Sequence, residues 1–470
     1  MLAFWATETC IDLMDYPMKT LFRPMRNLSL ILAVTLPCVS SADTLKQIYD
    51  LAKTNNPEYR AANAALQSDL QNGAIGRASL LPNVSLSARS RYSDDIGPSS
   101  GNSDTSNTYS ASISQTLFNM SDWYSYQSGN ISVDRALLNW EQEEQDLITN
   151  TVSAYLDVLR AIDTLTTVRA EKAALESQLE QTQQRFDVGL VPITDVLEAQ
   201  ASYDDVISRE LDGLGNLAIT YEALRVLTGR QHNSIAPLMD NYPVVTPVPA
   251  QAEDWVAVGL ENSQTLGIAE LSVESAEIAK SNSNTNYYPA VELNASYGGS
   301  LEDNDTAVMP IGRFDEGGAV SVTLTVPIVT FTGGSTWARR VQARHNLTQA
   351  EELLAGTQRN VEQTIRVTHL RVLTSISLVQ ARLQAIRSSE SALEATQAGY
   401  EVGTRNLVDV LLAERNLYST TRNYLNTRYD YIENMLNLKS TAGTLNGQDI
   451  DELNRWLDDA NEIPRSLLLP

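Results

Sequence analysis

A chain of 470 residues with 43% hydrophobic content can bury a large core, which excludes disorder over most of its length. Its formal net charge of -24, from 34 Lys and Arg against 58 Asp and Glu, excludes a nucleic-acid partner, because phosphate binding needs clustered basic residues. At the N-terminus, Lys19, Arg23 and Arg26 precede the apolar run "LSLILAVTL" (28–36), and Ser40 and Ala42 supply small residues at a cleavage position. That layout predicts a secretory signal over residues 1–42 and a mature chain starting at Asp43, with Met18 as an alternative start that leaves residues 1–17 upstream. Cys10 and Cys38 both fall in the signal, so the mature chain has no disulfide, thiol nucleophile or cysteine metal site.

After the signal no run of eighteen apolar residues occurs, which excludes an ordinary membrane-spanning helix. A spanning strand needs only about 9–11 residues of alternating polarity. Four segments have that pattern: 83–92, 109–118, 290–299 and 319–328. In the first, Val84, Leu86 and Ala88 alternate with Ser85, Ser87 and Arg89; in the last, Val320, Val322, Leu324 and Val326 alternate with Ser321, Thr323 and Thr325. The segments pair as two hairpins whose acidic, glycine-containing connections, 93–107 and 299–318, read as solvent-exposed turns. The strand pattern alone leaves open whether the hairpins span a membrane or decorate a soluble domain.

Between the hairpins lie long helical stretches. No Gly or Pro interrupts residues 130–188, and Ile148, Val152, Tyr155, Leu159 and Ile162 mark a seam of coiled-coil spacing. A second seam, Ile365, Val372, Val379, Ile386 and Leu393, recurs every seven residues. Shorter proline-free arms follow at 193–228 and 404–442, with Gly229 and Gly443 as stop signals. The stretch "QRFDVGLVPITDVLEAQ" (184–200) returns as "AGYEVGTRNLVDVLLAE" (398–414), which predicts two internal repeats, 43–235 and 251–445. Gly189 and Gly403 then turn the tips of two helical hairpins. Residues 236–250, "APLMDNYPVVTPVPA", read as an extended Pro-rich linker, and 446–470 as a short C-terminal tail. Four strands cannot close a barrel by themselves, and lipid does not tolerate open edges, so membrane-spanning strands would require several chains to pool theirs.

These segments resemble the TolC family of outer-membrane efflux proteins, and its TolC members more than its lipidated ones. The resemblance runs from about Asp43 to Trp456 and rests on ordered strings: "TNNPEYR" (54–60), "LLPNVSL" (80–86), "SQTLFNMSDW" (114–123), "TQQRFDVGLVPITDV" (182–196), "AGYEVGTRNLVDVL" (398–411) and "YDYIENMLNLKSTAGTLNGQDIDELN" (429–454). It implies an α+β membrane protein: a homotrimeric outer-membrane β-barrel of twelve strands, four per chain, continuous with a long periplasmic α-helical coiled-coil barrel. It further implies an exit duct, in the outer membrane of a double-membraned bacterium, for drugs, toxic small molecules and secreted proteins. Its implied partners are outer-membrane lipid, a periplasmic adaptor and an inner-membrane transporter of RND, ABC or MFS type. Gly189, Leu190, Gly403 and Thr404 would form the ends that meet the adaptor.

The same resemblance assigns roles residue by residue. Asp409 matches a pore-facing aspartate that three-fold symmetry repeats as a ring of carboxylates, which would attract cations. The family's second acidic position is Leu412 here. Tyr400 and Arg405 match residues that hold the entrance shut, with Thr194 and Asp195 as acceptors, and Arg428 matches a further basic member of the network. Gln397 stands where the relative has a glutamate. Spacing alone fits Asp195 and Asp409 equally well as helix N-caps, Tyr400 as an ordinary coiled-coil residue and Arg405 as a solvated surface charge. A catalytic reading finds little: His232, His345 and His369 are scattered, and "GLGNLA" (213–218) does not follow a strand. The expectation is therefore a non-enzyme without cofactor, and the alternative is a soluble periplasmic coiled-coil adaptor or scaffold without a pore.

Overall fold

The computed structural model describes residues 43–94, 103–304, 313–328, 332–458 and 460–468. The signal, both cysteines and the central parts of the two strand connections lie outside the described residues. Three short helices open the chain: α1 (Leu45–Asn55), α2 (Pro57–Asp69) and α3 (Gln71–Ala78). Thr44 and Gln47 close a capping box on α1, and Asn56 caps α2 with Pro57 at its first turn, where the missing N–H costs nothing. Strands β1 (Asn83–Asp94) and β2 (Ser103–Phe118) lead into helix α4 (Met120–Asp187), which returns through α5 (Ile193–Thr228). After the two-residue strand β3 (Ser234–Ile235), helices α6 (Ala252–Asn262) and α7 (Gln264–Asn282) precede β4 (Ala290–Asn304) and β5 (Arg313–Thr325). Helices α8 (Ser335–Glu401) and α9 (Leu407–Thr441) follow, then α10 (Gly447–Asn454), β6 (Ile463–Pro464) and α11 (Arg465–Leu468).

Helices α4 and α8, of 68 and 67 residues, each extend about 100 Å at 1.5 Å per residue. Their apolar seams are buried unequally. Ile148, Val152, Tyr155, Leu159 and Ile162 of α4 sit in the main core, as do Ile365 and Val372 of α8, but Ile386 and Leu393 near the end of α8 are only half-buried.

The sheet is antiparallel with order β1-β2-β4-β5, so the two hairpins are joined side by side through β2 and β4. Residues directly opposite share a face. One register row is Leu86, Ala111, Tyr297 and Gly318, and the next is Val84, Ile113, Ala295 and Val320. This face is apolar yet open, with Leu86 82% and Val320 77% exposed. The opposite face carries hydroxyls that bond across the ladder, Ser85 to Ser112 at 2.6 Å and Ser87 to Ser110 at 2.8 Å. The outer edges of β1 and β5 have no strand partner among the described residues.

The strand bounds need correction. Strands β2, β4 and β5 reach beyond 109–118, 290–299 and 319–328 at their loop ends, pairing Asp104 with Asn304 and Glu302 with Arg313, because a ladder requires only backbone N–H and C=O groups and so continues after the apolar alternation stops. At its other end β5 stops at Thr325 instead of 328, since Pro327 has no N–H to donate. The C-terminal segment packs on the body of the protein: Ile450, Leu453, Leu457 and Leu468 are buried in the main core, and β6 pairs with β3. The linker 236–250 is likewise pinned, with the Tyr155 hydroxyl donating to the Ala236 carbonyl at 2.6 Å and the Tyr431 hydroxyl to that of Val245 at 2.8 Å.

Candidate functional site

The sequence-predicted residues, Arg428 apart, gather where the long helices end. Helix α4 stops at Asp187, and Gly189 takes the left-handed conformation at φ 78° while the N–H of Leu190 donates back to the Arg185 carbonyl at 2.8 Å. Helix α8 ends the same way, with Gly403 at φ 80° and the N–H of Thr404 donating to the Gly399 carbonyl at 2.8 Å. Each end exposes an apolar tip: Leu190 is 73% exposed and Val402 75%.

The returning helices start differently. Pro192 precedes α5, whose first turn has no side-chain cap, so Asp195 is not an N-cap; its carboxylate is 3.4 Å from the Thr194 hydroxyl, which donates to it. On α9 the N-cap is Asn406, and Asp409 is the third residue of a capping box. The Asp409 N–H donates to the Asn406 side chain at 2.8 Å, and the Asp409 carboxylate accepts from the Asn406 N–H at 3.3 Å. Arg405 lies 3.8 Å from the same carboxylate.

Tyr400 packs on a small cluster formed by Val168, Leu175, Ala199, Val206, Leu407 and Leu411, which joins α4 and α5 to α9. The Arg185 guanidinium sits 5.4 Å from the centre of its ring, a cation–π contact between α4 and α8. Among the described residues the buried Tyr400 hydroxyl has no hydrogen-bond partner, and no bond joins Tyr400 or Arg405 to Thr194 or Asp195. Leu412 is exposed and lines a groove of about 280 Å³ with Leu175, Glu198, Leu411 and Arg415. Arg428 does not join this group. It lies 23 residues beyond Arg405, about 34 Å along a helix, and donates to the Met239 carbonyl while facing Asp240 at 3.7 Å, so it fastens the linker.

Behind the tips, ion pairs hold the hairpins together. Arg209 of α5 grips the buried Glu171 of α4 with two bonds of 2.7 Å, and Arg415 of α9 meets Asp205 of α5 at 3.1 Å. Glu414, also buried, has one carboxylate oxygen with no partner among the described residues; burial first and the Glu171 charge second push its carboxyl above the usual carboxylate range. Further along the helices Arg160 of α4 bonds Asp430 of α9 at 2.8 Å, and the Tyr429 hydroxyl donates to Asp163 at 2.5 Å. Sequence reasoning missed Glu171, Arg185, Arg209 and Glu414: Arg185 and Glu414 lie within the repeated strings but meet their partners only on other helices, and Glu171 and Arg209 belong to no motif. Of the histidines, His232 bridges Asp43 and Thr228 at 2.9 and 2.7 Å, and His369 meets the Ala250 carbonyl at 3.2 Å. No group of His, Cys, Asp and Glu among the described residues could hold a metal ion.

Compared with known proteins, residues 48–230 and 255–444 match the family described as outer membrane efflux protein. The chain is 35% identical over 425 residues to the outer membrane protein TolC of Escherichia coli (strain K12), covering 89% of this chain and 86% of that one. It is 27% identical over 416 residues to the alkaline protease secretion protein AprF of Pseudomonas aeruginosa, covering 86% and 85%. Its fold matches the crystal structure of the outer membrane protein VceC from Vibrio cholerae with a TM-score of 0.71 at 18% identity, over 85% of this chain and 96% of that one.

Proposed function

The chain belongs to the outer membrane efflux protein family, and from that premise we propose that three copies assemble into an exit duct. Each contributes four strands to a closed twelve-stranded barrel in the outer membrane, and the paired helices of the two internal repeats form a tunnel across the periplasm. The observation that carries this reading is the sheet: an exposed apolar face and two unpaired edges, on β1 and β5, are what lipid and neighbouring copies would cover. A soluble adaptor or scaffold would leave both in water.

The tips at Gly189, Leu190, Gly403 and Thr404 meet a periplasmic adaptor and an inner-membrane transporter of RND, ABC or MFS type, which supplies the energy. Exposed Leu190 and Val402 give that contact its apolar centre. Recruitment opens the entrance by an iris-like movement of the helices. Because the Tyr400 hydroxyl is partnerless within one chain and Thr194 and Asp195 have acceptor capacity to spare, the closing bonds run between copies. Asp409, beside Arg405, forms the cation-attracting ring with Leu412 as an apolar ring one turn on, and Arg428 supports the network from a distance by fixing the linker. The name of AprF favours protein secretion as one use of the duct and the family description favours efflux as another. The test is the mature chain from Asp43 in a planar bilayer: a small, steady, cation-preferring conductance from a heat-resistant trimer is expected, and well-folded protein that neither trimerises nor inserts contradicts the reading.

A further inference from the structure

The apolar face of the sheet carries one carboxylate whose surroundings are specific. Glu316 of β5 accepts hydrogen bonds from the Tyr109 hydroxyl of β2 at 2.6 Å and the Tyr297 hydroxyl of β4 at 3.0 Å, so it ties three strands together. Register puts all three residues on the lipid-side face: Tyr109 pairs with Ala88 and Gly299, Glu316 pairs with Gly299, and Tyr297 pairs with Ala111 and Gly318. Towards the helices this face continues as Ala111, Ile113, Leu293, Val320, Val322, Val291 and Leu324 and carries no further charged residue. Phe118, Tyr287, Tyr288, Trp123 and Trp337, all substantially exposed, follow at the junction with the helices.

We propose that Glu316, clasped by Tyr109 and Tyr297, marks the outer boundary of the bilayer on this sheet, and that the partner it meets there is the lipid headgroup layer. The inference rests on the barrel reading above. A charged side chain facing lipid is disfavoured at the bilayer midplane and tolerated near the interface, so the row containing Glu316 belongs at the interface. Tyrosines are suited to the same level, with the ring in the apolar layer and the hydroxyl in the polar one. From Val291 to the Glu316 row is eight residues of β4, about 27 Å along the strand and roughly 20 Å in height at barrel tilt, near the ~25 Å apolar band of such barrels. Tryptophan and tyrosine at the helical end supply the opposite girdle. The next row outward, Ser90, Asn107, Leu301 and Phe314, mixes polar and apolar residues and so lies among the headgroups, where a water-borne reagent reaches positions 90 and 107.

The chain from residue 43 contains no cysteine, so single cysteines report position directly. Intact cells carrying Ser90→Cys, Asn107→Cys, Ala111→Cys or Val320→Cys are treated with a membrane-impermeant maleimide, each variant first being checked for heat-resistant trimers. Labelling at 90 and 107 is expected to be at least about tenfold faster than at 111 and 320, because the latter face hydrocarbon. Equal protection at all four positions overturns the boundary while leaving the barrel intact. Equally fast labelling at all four removes lipid from this face and defeats the barrel reading with it. Adding Glu316→Leu to Ser90→Cys should slow labelling several-fold by making the apolar face continuous with Leu301 and Phe314 of the next row; an unchanged rate removes Glu316 from the boundary.

Discussion

Replacing Asp409 by alanine removes a charge from the entrance and an acceptor from the start of α9 at once, because the carboxylate completes the capping box with Asn406. The two effects separate by substitution. Asp409→Ala should lower stability by roughly 0.3–1 kcal/mol, the worth of a carboxylate in the first turn of a helix, and weaken channel block by divalent or trivalent cations. Asp409→Asn keeps an acceptor, so it should weaken the block with little change in melting temperature; equal block in wild type and both variants would take Asp409 out of the filter. Glu414 offers a pH test. Its folded carboxyl titrates above the unfolded one, so its contribution to stability is fully present below the unfolded value of 4.5 and is lost as pH rises through the raised folded value. Glu414→Gln should therefore melt higher than wild type at pH 7.5 and show no advantage near pH 4. The sequence makes Asp409 visible through a repeated string, but Glu414 beside Glu171, or Arg185 over Tyr400, arises only when helices from distant parts of the chain are packed together.

For elements, the two ways in which a helix stop needs glycine can be compared. Gly403 has a positive φ with open space around it, so Gly403→Ala should cost only the conformational penalty of about 1–2 kcal/mol. Gly443 also has a positive φ, but a Cβ there would fall 2.1 Å from the Asn262 carbonyl oxygen, a backbone atom that cannot yield without moving α6. Gly443→Ala should lower the melting temperature markedly more, and a smaller shift than that of Gly403→Ala would show that α6 gives way. Long helices and alternating strands were legible because each element repeats one simple period over many residues. The reach of the strands was not, since the ladder carries on to Asp104, Glu302 and Asn304 after the apolar alternation has stopped, and the packing of the C-terminal segment was not, since Ile450, Leu453 and Leu457 acquire meaning only against the surface that buries them.

On the scale of the whole molecule, the duct proposed above would close its entrance with bonds between copies, since the Tyr400 hydroxyl has no partner among the described residues. Tyr400→Phe combined with Arg405→Ser should raise single-channel conductance in a correctly assembled trimer, and unchanged conductance would mean that neither side chain restrains the entrance. Arg185→Ala, which removes the cation–π contact between α4 and α8 inside one chain, should raise conductance less than the double variant. The side-by-side joining of the hairpins also fixes an order of events. Strand β2 finds its partner β4 only after the whole of α4, α5, α6 and α7 has been made, while each helical hairpin closes on its own neighbours. Contacts so distant along the chain form slowly. In the proposed duct the helices would therefore fold first in the aqueous compartment and the sheet would close last, which would make entry into the bilayer the final act of maturation and leave β1 and β2 in need of protection from aggregation until then.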